Sequence, residues 1–413
     1  MNLIQCLINQ NHETTAMKSA IIIGGGIAGC SSAYTLAQRG FAVTLLERQA
    51  TLAAEASGNP LAVLYPRLTG QNTSLEQLNL HGYLHSLKLI ESLGVKRCHY
   101  LACGVAQLLN NQKAQARLPA LVSAYQNTAL FKRMDAVQLS QLADLTLQHE
   151  AIYFPQAGGI NLQALCHVLT THANIQVLQH HTALRIERSQ QWQVISANGM
   201  KHAADIIVIA NANDATLLPQ SQHIPLAAVR GQLSYLKATP ESAHLKTIVC
   251  ADGYITPAID QVHYLGASFS QQDSDATLRT ADHESNLQLL EDISPGLNQA
   301  LQNKVISGRV AWRSQTPDYL PAAGQLLDAQ ALMTGKFYYN DDPAKLPWLT
   351  GLYVNIGHGS KGFLSAPLCA QVIADHAFDL PSPAPNTLLN ALQPNRFILR
   401  KLGLKQLAQH LIP

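Results

Sequence analysis

The sequence of 413 residues predicts an α/β fold in which a domain with a parallel sheet is interleaved with a domain with an antiparallel sheet. Two glycine-rich junctions between a strand and a helix predict the first domain, one at residues 24–29 and the other at residues 357–362. Strand patterns dominate residues 233–269 and predict the second domain. Because the two junctions lie far apart in the chain, the first domain is expected to be discontinuous.

The composition is typical of a protein with a large core. Hydrophobic residues make up 47% of the chain and charged residues only 13%, which argues against disorder. The formal net charge is +2 and the pI is about 8.1, so no strong overall basic field indicates a nucleic acid partner. The length exceeds that of one ordinary domain.

Cysteine usage and the N-terminal region bear on the location of the protein. The seven cysteines are scattered and never form a CxxC pair, which favours reduced thiols and a cytoplasmic protein. His180 and His181 have no further metal ligand near them in sequence, and no metal site is predicted. Residues 20–37 lack charge, but three consecutive glycines within them argue against a membrane-spanning helix. Residues 1–17 do not resemble a secretory signal and are interpreted as an extension, with Met17 as an alternative start.

The first junction has the spacing of a dinucleotide-binding motif. Residues 21–46 predict a buried strand, a helix and a second buried strand. Gly24, Gly26 and Gly29 follow the G-x-G-x-x-G spacing, which allows a tight turn, close approach to a pyrophosphate and close packing of the helix on the strand. N–H groups at the start of the helix would bind the phosphates. Glu47, which ends the second strand, is predicted to accept hydrogen bonds from ribose hydroxyls in this Rossmann-like unit.

The second junction indicates that the dinucleotide is FAD. Residues 352–356 predict a strand and residues 365–377 a helix, and between them lie Gly357, His358, Gly359, Ser360, Lys361 and Gly362. A nicotinamide enzyme rarely needs such a second junction. In a flavin enzyme, the start of a second helix stabilises the negative charge of the reduced ring. Alone, the segment could be a flexible loop, but together with the first motif it predicts FAD.

The elements between the junctions alternate in type. Helices are predicted at residues 75–93, 114–125, 136–142, 161–172 and 281–293, and strands at residues 105–109, 152–154, 205–210 and 305–312. Residues 175–178, 182–189 and 192–196 predict an antiparallel meander. Residues 381–385 are rich in proline and predict a linker.

These elements are grouped into a cofactor domain, a substrate domain and a C-terminal segment. Residues 18–95, 155–225 and 310–380 are assigned to the cofactor domain, residues 96–154 and 226–309 to the substrate domain, and residues 381–413 to the linker and a basic C-terminal helix.

Four segments resemble the D-amino-acid oxidase, glycine oxidase and sarcosine oxidase family of FAD enzymes. They are the first junction, GQL after Arg230, WRSQTPDYLPAAG at residues 312–324 and YVNIGHGSKGF at residues 353–363. The resemblance extends over residues 18–379. It implies a D-amino-acid oxidase-like fold and an FAD-dependent oxidoreductase that acts on the CH–NH group of its donor.

Two further segments are similar to one branch of this family, which acts on the wobble uridine of tRNA. They are ASGNPLAVLYPRLT at residues 56–69 and PNRFILRKLG at residues 394–403. The resemblance implies that a 5-carboxymethylaminomethyl group on (2-thio)uridine is oxidised, that glyoxylate is released and that a 5-aminomethyl group remains. A methyltransferase precedes the oxidase in that branch. Since only 17 residues precede the first motif here, we expect a stand-alone oxidase, with a separate tRNA methyltransferase as a candidate partner.

Two other functions remain open. One is a small-molecule oxidase for glycine, sarcosine or D-amino acids, with no nucleic acid partner. The other is a flavoprotein that holds FAD for a structural role or as a subunit of a dehydrogenase complex.

The resemblance also implies catalytic residues. Arg313 aligns with the arginine that holds the substrate carboxylate, a contact for which the planar guanidinium is suited. Its alternative role is an ion pair with a structural acid such as Asp318. Arg309 is the substitute for Arg313. Arg67 is predicted to reach the substrate or a tRNA phosphate, and Tyr254 to line the site or to pack within a strand.

The cofactor set implied by the resemblance extends beyond the two junctions and Glu47. It adds Ile27, Ala28, Arg48, Ser57, Gly58, Asn59 and Ala183. Sarcosine oxidases attach their flavin to a cysteine at the position of Ala311, so FAD is expected to be non-covalent. Lys361 replaces the arginine usual in the second junction, which keeps the charge but loses the planar fork.

The C-terminal segment is predicted to bind RNA. Residues 394–409 predict a helix with Arg396, Arg400, Lys401 and Lys405 on one face. Such a face could hold tRNA phosphates in a weak, salt-sensitive complex. The alternative is a solvated amphipathic helix whose apolar residues pack inward.

Overall fold

A computed structural model describes residues 17–411, apart from Arg97 and Asn127. The N-terminal extension, except for Met17, therefore lies outside the described residues. Within the described part of the chain, no helix is both long and apolar enough to cross a membrane.

The described residues form many short strands. The strands are β1 (Ser19–Ile23), β2 (Ala42–Leu46), β3 (Ala62–Leu64), β4 (Tyr100–Leu101), β5 (Val105–Leu108), β6 (Lys132–Met134), β7 (Ala151–Phe154), β8 (Gly158–Ile160), β9 (Ile175–Leu178), β10 (Ala183–Arg188), β11 (Trp192–Ser196), β12 (Lys201–Ala204), β13 (Ile206–Ile209), β14 (Ala227–Lys237), β15 (Ile248–Cys250), β16 (Tyr254–Ile255), β17 (Val262–Gly266), β18 (Ser270–Gln271), β19 (Val305–Gln315), β20 (Ala322–Leu327) and β21 (Trp348–Ile356).

The helices connect and cover these strands. They are α1 (Ile27–Gln38), α2 (Ser74–Leu93), α3 (Gln112–Tyr125), α4 (Ala136–Ala143), α5 (Leu162–Leu169), α6 (Thr280–Ile293), α7 (Pro295–Leu301), α8 (Ala329–Thr334), α9 (Gly362–Ala377), α10 (Asn386–Leu392) and α11 (Arg396–Lys401). Short 3₁₀ helices lie at Ala56–Gly58, Ala212–Leu217, Ser242–His244, Pro343–Lys345 and Leu407–Gln409.

A six-stranded sheet forms the core of the cofactor domain. Its order is β20-β21-β13-β1-β2-β9, and all neighbours are parallel except β20 and β21. Its central strand β1 is buried on both faces, which explains the continuous apolar run in the sequence. The helices α1 and α9 pack against each other and both start at one end of this sheet. The predicted Rossmann-like unit of β1, α1 and β2 is confirmed.

A nine-stranded sheet forms the second layer. Most of its strands are antiparallel, as predicted, and its longest pairing joins β14 to β19. The predicted boundary at residue 310 lies inside β19, which is one continuous strand. The division into domains stays a prediction. The pairing of β14 with β19 matters for the site because it places GQL beside residues 309–313.

Two predictions about local structure are wrong. Residues 175–178 are not part of the meander, because β9 pairs in parallel with β2 at the edge of the six-stranded sheet. The meander instead consists of β10, β11 and β12. Residues 394–409 are not one helix, because α11 ends at Lys401 and a turn at Gly403, with φ of +77°, separates it from the last 3₁₀ helix. The linker leads first into α10, whose leucines are buried.

Candidate active site

A cavity of about 480 Å³ lies where the predicted site residues converge. It is lined by the starts of α1 and α9, by the loop at residues 56–59 and by β14 and β19. Of the predicted residues it includes Gly26, Ile27, Ala28, Ser57, Asn59, Arg67, Tyr254, Arg313 and all of Gly357, His358, Gly359, Ser360, Lys361 and Gly362. Gly24, Gly29, Glu47, Arg48, Gly58, Ala183 and Arg309 do not line it.

The three glycines of the first junction have separate roles. Gly24 has a φ of +106°, and an added Cβ would lie 2.7 Å from the carbonyl oxygen of Ala210. An added Cβ on Gly29 would lie 1.8 Å from the carbonyl oxygen of Gly24, so only glycine allows α1 to approach β1 this closely. At Gly26 an added Cβ would point into the cavity and meet only Ser57 Oγ, at 3.2 Å. The protein itself leaves room at Gly26, as a cradle for a pyrophosphate requires.

The side chains around this cradle are held by the backbone of the first junction. Glu47 is buried, and its carboxylate accepts hydrogen bonds from the N–H of Gly25 at 2.6 Å and of Gln49 at 2.7 Å. Ser57 Oγ accepts from the N–H of Ile27 at 3.0 Å. Arg48 instead forms ion pairs with Glu55 and Asp214. The contact of Glu47 with ribose stays a prediction, as does a cofactor role for Arg48.

Ala183 lies on β10 and packs at the edge of a core formed by the six-stranded sheet and the meander. It does not line the cavity. Its predicted cofactor contact also stays a prediction.

The second junction presents two polar side chains to the cavity. His358 Nδ1 is 2.9 Å from Ser365 Oγ, and burial lowers the pKa of His358 to about 4, so its ring is neutral at pH 7. Its Nε2 has no hydrogen-bond partner among the described residues. Lys361 Nζ donates to Asn79 Oδ1 at 2.7 Å. Burial, followed by the charge of Arg67, lowers the pKa of Lys361 to about 7. These polar groups and the start of α9 suit the polar edge of a flavin ring.

Arg313 lines the cavity, and its role as the arginine that holds the substrate carboxylate stays a prediction. Its guanidinium lies against the backbone of Gly231, where an added Cβ would be 2.7 Å from Nη2, and above the ring of Phe269 at 5.4 Å from its centroid. It forms no hydrogen bond or ion pair with another described residue, and burial lowers its pKa. Asp318, the predicted alternative partner, pairs with Arg396 instead. A half-buried guanidinium facing a cavity without a partner is suited to a bound carboxylate.

Arg309 does not line the cavity and is held by a neighbouring loop. Its Nη1 donates to Asn59 Oδ1 at 3.0 Å, and its Nη2 donates to the carbonyl oxygens of Ala54, at 2.8 Å, and Glu55. These bonds use the guanidinium to hold the loop at residues 54–59, and a substrate contact of Arg309 stays a prediction. Arg309 thereby positions the loop that lines the cofactor end of the cavity.

We predict that Arg309→Ala weakens FAD binding without destroying the chemistry. The variant loses the hydrogen bonds that hold the loop, and bonds from a charged group contribute roughly 1.5–3 kcal/mol. If this free energy is lost from cofactor binding, the Kd for FAD should rise roughly 10- to 100-fold. Titration of apoprotein with FAD, followed by fluorescence, measures this change. Turnover should recover when FAD is saturating. A loss of turnover with unchanged FAD affinity would instead indicate that Arg309 contacts the substrate.

Tyr254 and several residues outside the predicted set complete the walls. Burial raises the pKa of Tyr254, so its hydroxyl stays protonated, although the charge of Arg313 acts in the opposite direction. Tyr65, Cys250 and Phe269 also line the cavity. Burial raises the pKa of Cys250 to about 12, so it is a thiol at neutral pH. Tyr65 could have been found in the sequence, because it stands two residues before Arg67 in the LYPRLT segment.

The predicted RNA-binding face at the C-terminus is partly wrong. Arg396 is 1% exposed and forms a two-bond ion pair with Asp318, with both N···O distances at 2.9 Å. It also donates to the carbonyl oxygen of Leu320 at 2.8 Å. Arg396 is therefore a structural residue that fixes α11 to the segment after β19. Arg400, Lys401 and Lys405 are exposed, but none of them lines the cavity.

We predict that Arg396→Ala lowers the free energy of unfolding by about 3–5 kcal/mol, because it removes a buried guanidinium and both short hydrogen bonds to the partly buried Asp318, which keeps only a 3.6 Å ion pair with Arg400. Arg400→Ala, the matched control, should change it by less than about 1 kcal/mol, since Arg400 is exposed and its ion pair with Asp318 is long. Denaturant unfolding measures both. Burial raises the pKa of Asp318, but bonds from Arg396 outweigh it and lower the pKa overall. The contribution is thus present above the ordinary carboxylate pKa and lost as the pH falls through the lowered value. Equal effects of the two variants would contradict the assignment.

Fold and cavity together define an FAD enzyme. Residues 19–376 match the family described as FAD dependent oxidoreductase, so the chain belongs to this family. The predictions of FAD as cofactor and of an oxidoreductase are confirmed. No group of three or more His, Cys, Asp or Glu side chains in the described ranges is arranged to hold a metal ion.

Among proteins of similar sequence are two that share one name. The chain is 42% identical over 404 residues to the tRNA 5-methylaminomethyl-2-thiouridine biosynthesis bifunctional protein MnmC of Methylobacillus flagellatus. It is 41% identical over 396 residues to the protein of that name from Pseudomonas syringae pv. tomato. The alignments cover 97% and 93% of this chain, but 62% and 60% of those proteins. The chain thus spans about three fifths of the relatives it matches.

Solved structures show the same fold. Glycine oxidase from Geobacillus kaustophilus has a TM-score of 0.72 and 20% identity, over 91% of this chain and 98% of that one. L-Proline dehydrogenase from P. horikoshii has a TM-score of 0.74 and 16% identity, over 92% and 98% of the two chains. At these identities the likeness concerns the fold alone, and it confirms the predicted D-amino-acid oxidase-like architecture.

Proposed function

We propose that this enzyme oxidises the 5-carboxymethylaminomethyl group of (2-thio)uridine at the wobble position of tRNA. Loss of a hydride from the CH₂ carbon, which FAD would accept, and of a proton from the amine gives an imine. Addition of water to the imine then breaks the C–N bond, so that glyoxylate leaves and 5-aminomethyl-(2-thio)uridine remains in the tRNA. Two findings support the proposal. The relatives at about 40% identity carry a name that refers to the biosynthesis of a tRNA wobble nucleoside. The cavity presents Arg313, whose guanidinium has no hydrogen-bond or ion-pair partner among the described residues, and the proposed substituent ends in a carboxylate.

The unpaired Arg313 is the observation that carries the proposal. A guanidinium removed from water is stabilised by a carboxylate that accepts two parallel hydrogen bonds. Binding the carboxylate in this way fixes the orientation of the adjoining CH₂–NH group within the cavity. Tyr254 and Phe269 line the cavity beside it. Productive orientation of this kind accounts for a large part of enzymatic rate enhancement.

Residues of the two junctions would hold the cofactor. Gly26 and the start of α1 suit the pyrophosphate, and His358, Lys361 and the start of α9 suit the flavin ring. FAD supplies a two-electron acceptor for the hydride of the substrate carbon. Ala311 lines the cavity and has no group that could attach covalently to the flavin, so FAD should be released on denaturation in acid.

A second candidate function uses the same site. Free glycine and sarcosine also carry a carboxylate next to a CH₂–N group, so Arg313 could hold them equally well. Arg67 argues for the larger substrate, because it is exposed at the edge of the cavity and could contact the nucleotide or its phosphate.

Anaerobic reduction of the bound FAD distinguishes the two functions. We expect tRNA with 5-carboxymethylaminomethyluridine to bleach the flavin absorbance rapidly, and glycine or sarcosine to do so far more slowly at equal concentration. The matched control is the same tRNA with unmodified uridine, which should leave the flavin oxidised. Rapid reduction by glycine with none by the modified tRNA would establish the small-molecule function instead.

A further inference from the structure

A second, smaller cavity of about 130 Å³ adjoins the first. The two cavities share three wall residues, Arg67, Ala251 and Asp252. Most of the remaining walls of the smaller cavity come from the end of β5, the residues after it and α3, together with Leu68 and Ile152. A molecule that occupied both cavities would therefore pass beside Arg67.

The smaller cavity is polar and positively charged. Arg67, Lys113 and Arg117 provide three positive charges, against one negative charge from Asp252. Neither Lys113 nor Arg117 forms an ion pair within the described ranges. The side chains of Gln107, Asn110 and Asn111 add amide groups that can donate and accept hydrogen bonds. Unpaired cations beside amides are typical of contacts with phosphate and ribose.

The walls are held in place by a carboxylate outside both cavities. Glu76 is buried and accepts hydrogen bonds from four consecutive N–H groups, at residues 69–72, at distances of 2.6–3.0 Å. It also accepts from the hydroxyl of Tyr125, at the end of α3, at 3.1 Å. Burial would raise the pKa of Glu76, but the N–H groups outweigh it and lower the pKa overall. Glu76 thus joins the segment that follows Arg67 to α3, and the two cavities form one preorganised surface.

We propose that the smaller cavity binds the phosphate and ribose of the nucleotide next to the modified uridine. This inference rests on the proposed function, since a tRNA substrate places a phosphate beside the uridine whose substituent enters the larger cavity. Arg67 lies at the point where the two cavities meet. The exposed C-terminal residues Lys401 and Lys405 line neither cavity, so the predicted tail lacks this continuity.

The test compares two substrates in the FAD-loaded enzyme. In the double variant Lys113→Ala and Arg117→Ala, KM for the modified tRNA should rise roughly tenfold at low salt. The salt dependence of tRNA binding should flatten by about 1.4 in logarithmic slope, because each lost contact to a single strand contributes about 0.7. The ratio of kcat/KM for tRNA to kcat/KM for the free modified nucleoside should fall. The matched control is Lys201→Ala with Lys336→Ala, which removes two exposed charges that line neither cavity and should leave this ratio unchanged.

Each other outcome has a definite meaning. If the wild-type enzyme turns over the tRNA, and the double variant of Lys113 and Arg117 keeps the same kcat/KM ratio and the same salt slope, the inference is overturned but the proposed function stands. If the kcat/KM ratio falls instead in the double variant Lys401→Ala with Lys405→Ala, the inference is also overturned, and RNA binding is assigned to the C-terminal segment. Failure of the wild-type enzyme to oxidise either the tRNA or the nucleoside contradicts the proposed function itself. Thermal unfolding and FAD content of every variant verify that the fold is retained.

Discussion

Arg313→Ala should lose roughly 30- to 5000-fold in kcat/KM for the modified tRNA while it retains FAD. The variant loses the guanidinium that would bind the substrate carboxylate, a charge-assisted contact of about 2–5 kcal/mol. Because Arg313 pairs with no other described residue, its removal leaves no acid unpaired, and the fold should persist. Steady-state kinetics and the flavin absorbance spectrum measure the two effects separately.

The companion variants make this result specific to the carboxylate. Arg313→Lys should recover only part of the activity, because an ammonium group cannot form the two parallel bonds of a guanidinium. Arg309→Ala should show the opposite profile, with weakened FAD binding and normal turnover at saturating FAD. Near-normal turnover of Arg313→Ala with FAD bound would exclude Arg313 from the site and leave Arg67 as the candidate.

Gly26→Ala and Gly29→Ala should separate cofactor binding from folding. At Gly26, which has extended backbone with φ of −77°, the new methyl group would enter the cavity and meet only Ser57 Oγ. We expect the apoprotein to have normal stability. Its FAD affinity should fall roughly 5- to 150-fold, because overpacking of the methyl group against the pyrophosphate costs about 1–3 kcal/mol. At Gly29 the methyl group would lie 1.8 Å from the carbonyl oxygen of Gly24, so both stability and FAD binding should be lost.

Gly296→Ala is the matched control for this pair. A Cβ there would find its nearest neighbour, Ser294 Oγ, at 3.9 Å, so neither unfolding nor FAD binding should change. Denaturant unfolding of the apoproteins and titration with FAD give the two readouts. Normal FAD affinity in Gly26→Ala would contradict the placement of the pyrophosphate at the first junction.

The sequence was informative wherever the physical constraint is local. Three glycines at fixed spacing specify the turn, the cradle and the helix contact at the first junction, so the Rossmann-like unit could be predicted before any contact was known. The second junction could be predicted for the same reason. Arg313 was predicted from a resemblance in the WRSQTPD segment, and the strand that carries it, β19, pairs with the GQL segment of β14.

Roles that depend on distant partners could not be predicted. Arg309 and Arg313 lie four residues apart on β19, yet one binds carbonyl oxygens of the loop at residues 54–59 and the other faces the cavity. Arg396 shares a basic helix with Arg400, and both contact Asp318, but only Arg396 is buried and forms two short hydrogen bonds with it, whereas exposed Arg400 lies 3.6 Å away. The smaller cavity escaped the sequence analysis because Arg67 and α3 are brought together by Glu76, and no sequence pattern indicates that contact.

Mass analysis of tRNA nucleosides tests the central claim most directly. Purified enzyme with FAD is incubated in air with tRNA that carries 5-carboxymethylaminomethyl-(2-thio)uridine, and the tRNA is then digested to nucleosides. We predict that this nucleoside disappears, that 5-aminomethyl-(2-thio)uridine replaces it in equal amount, and that glyoxylate accumulates in parallel. An unchanged nucleoside profile, from enzyme that contains FAD and oxidises free glycine, would contradict it.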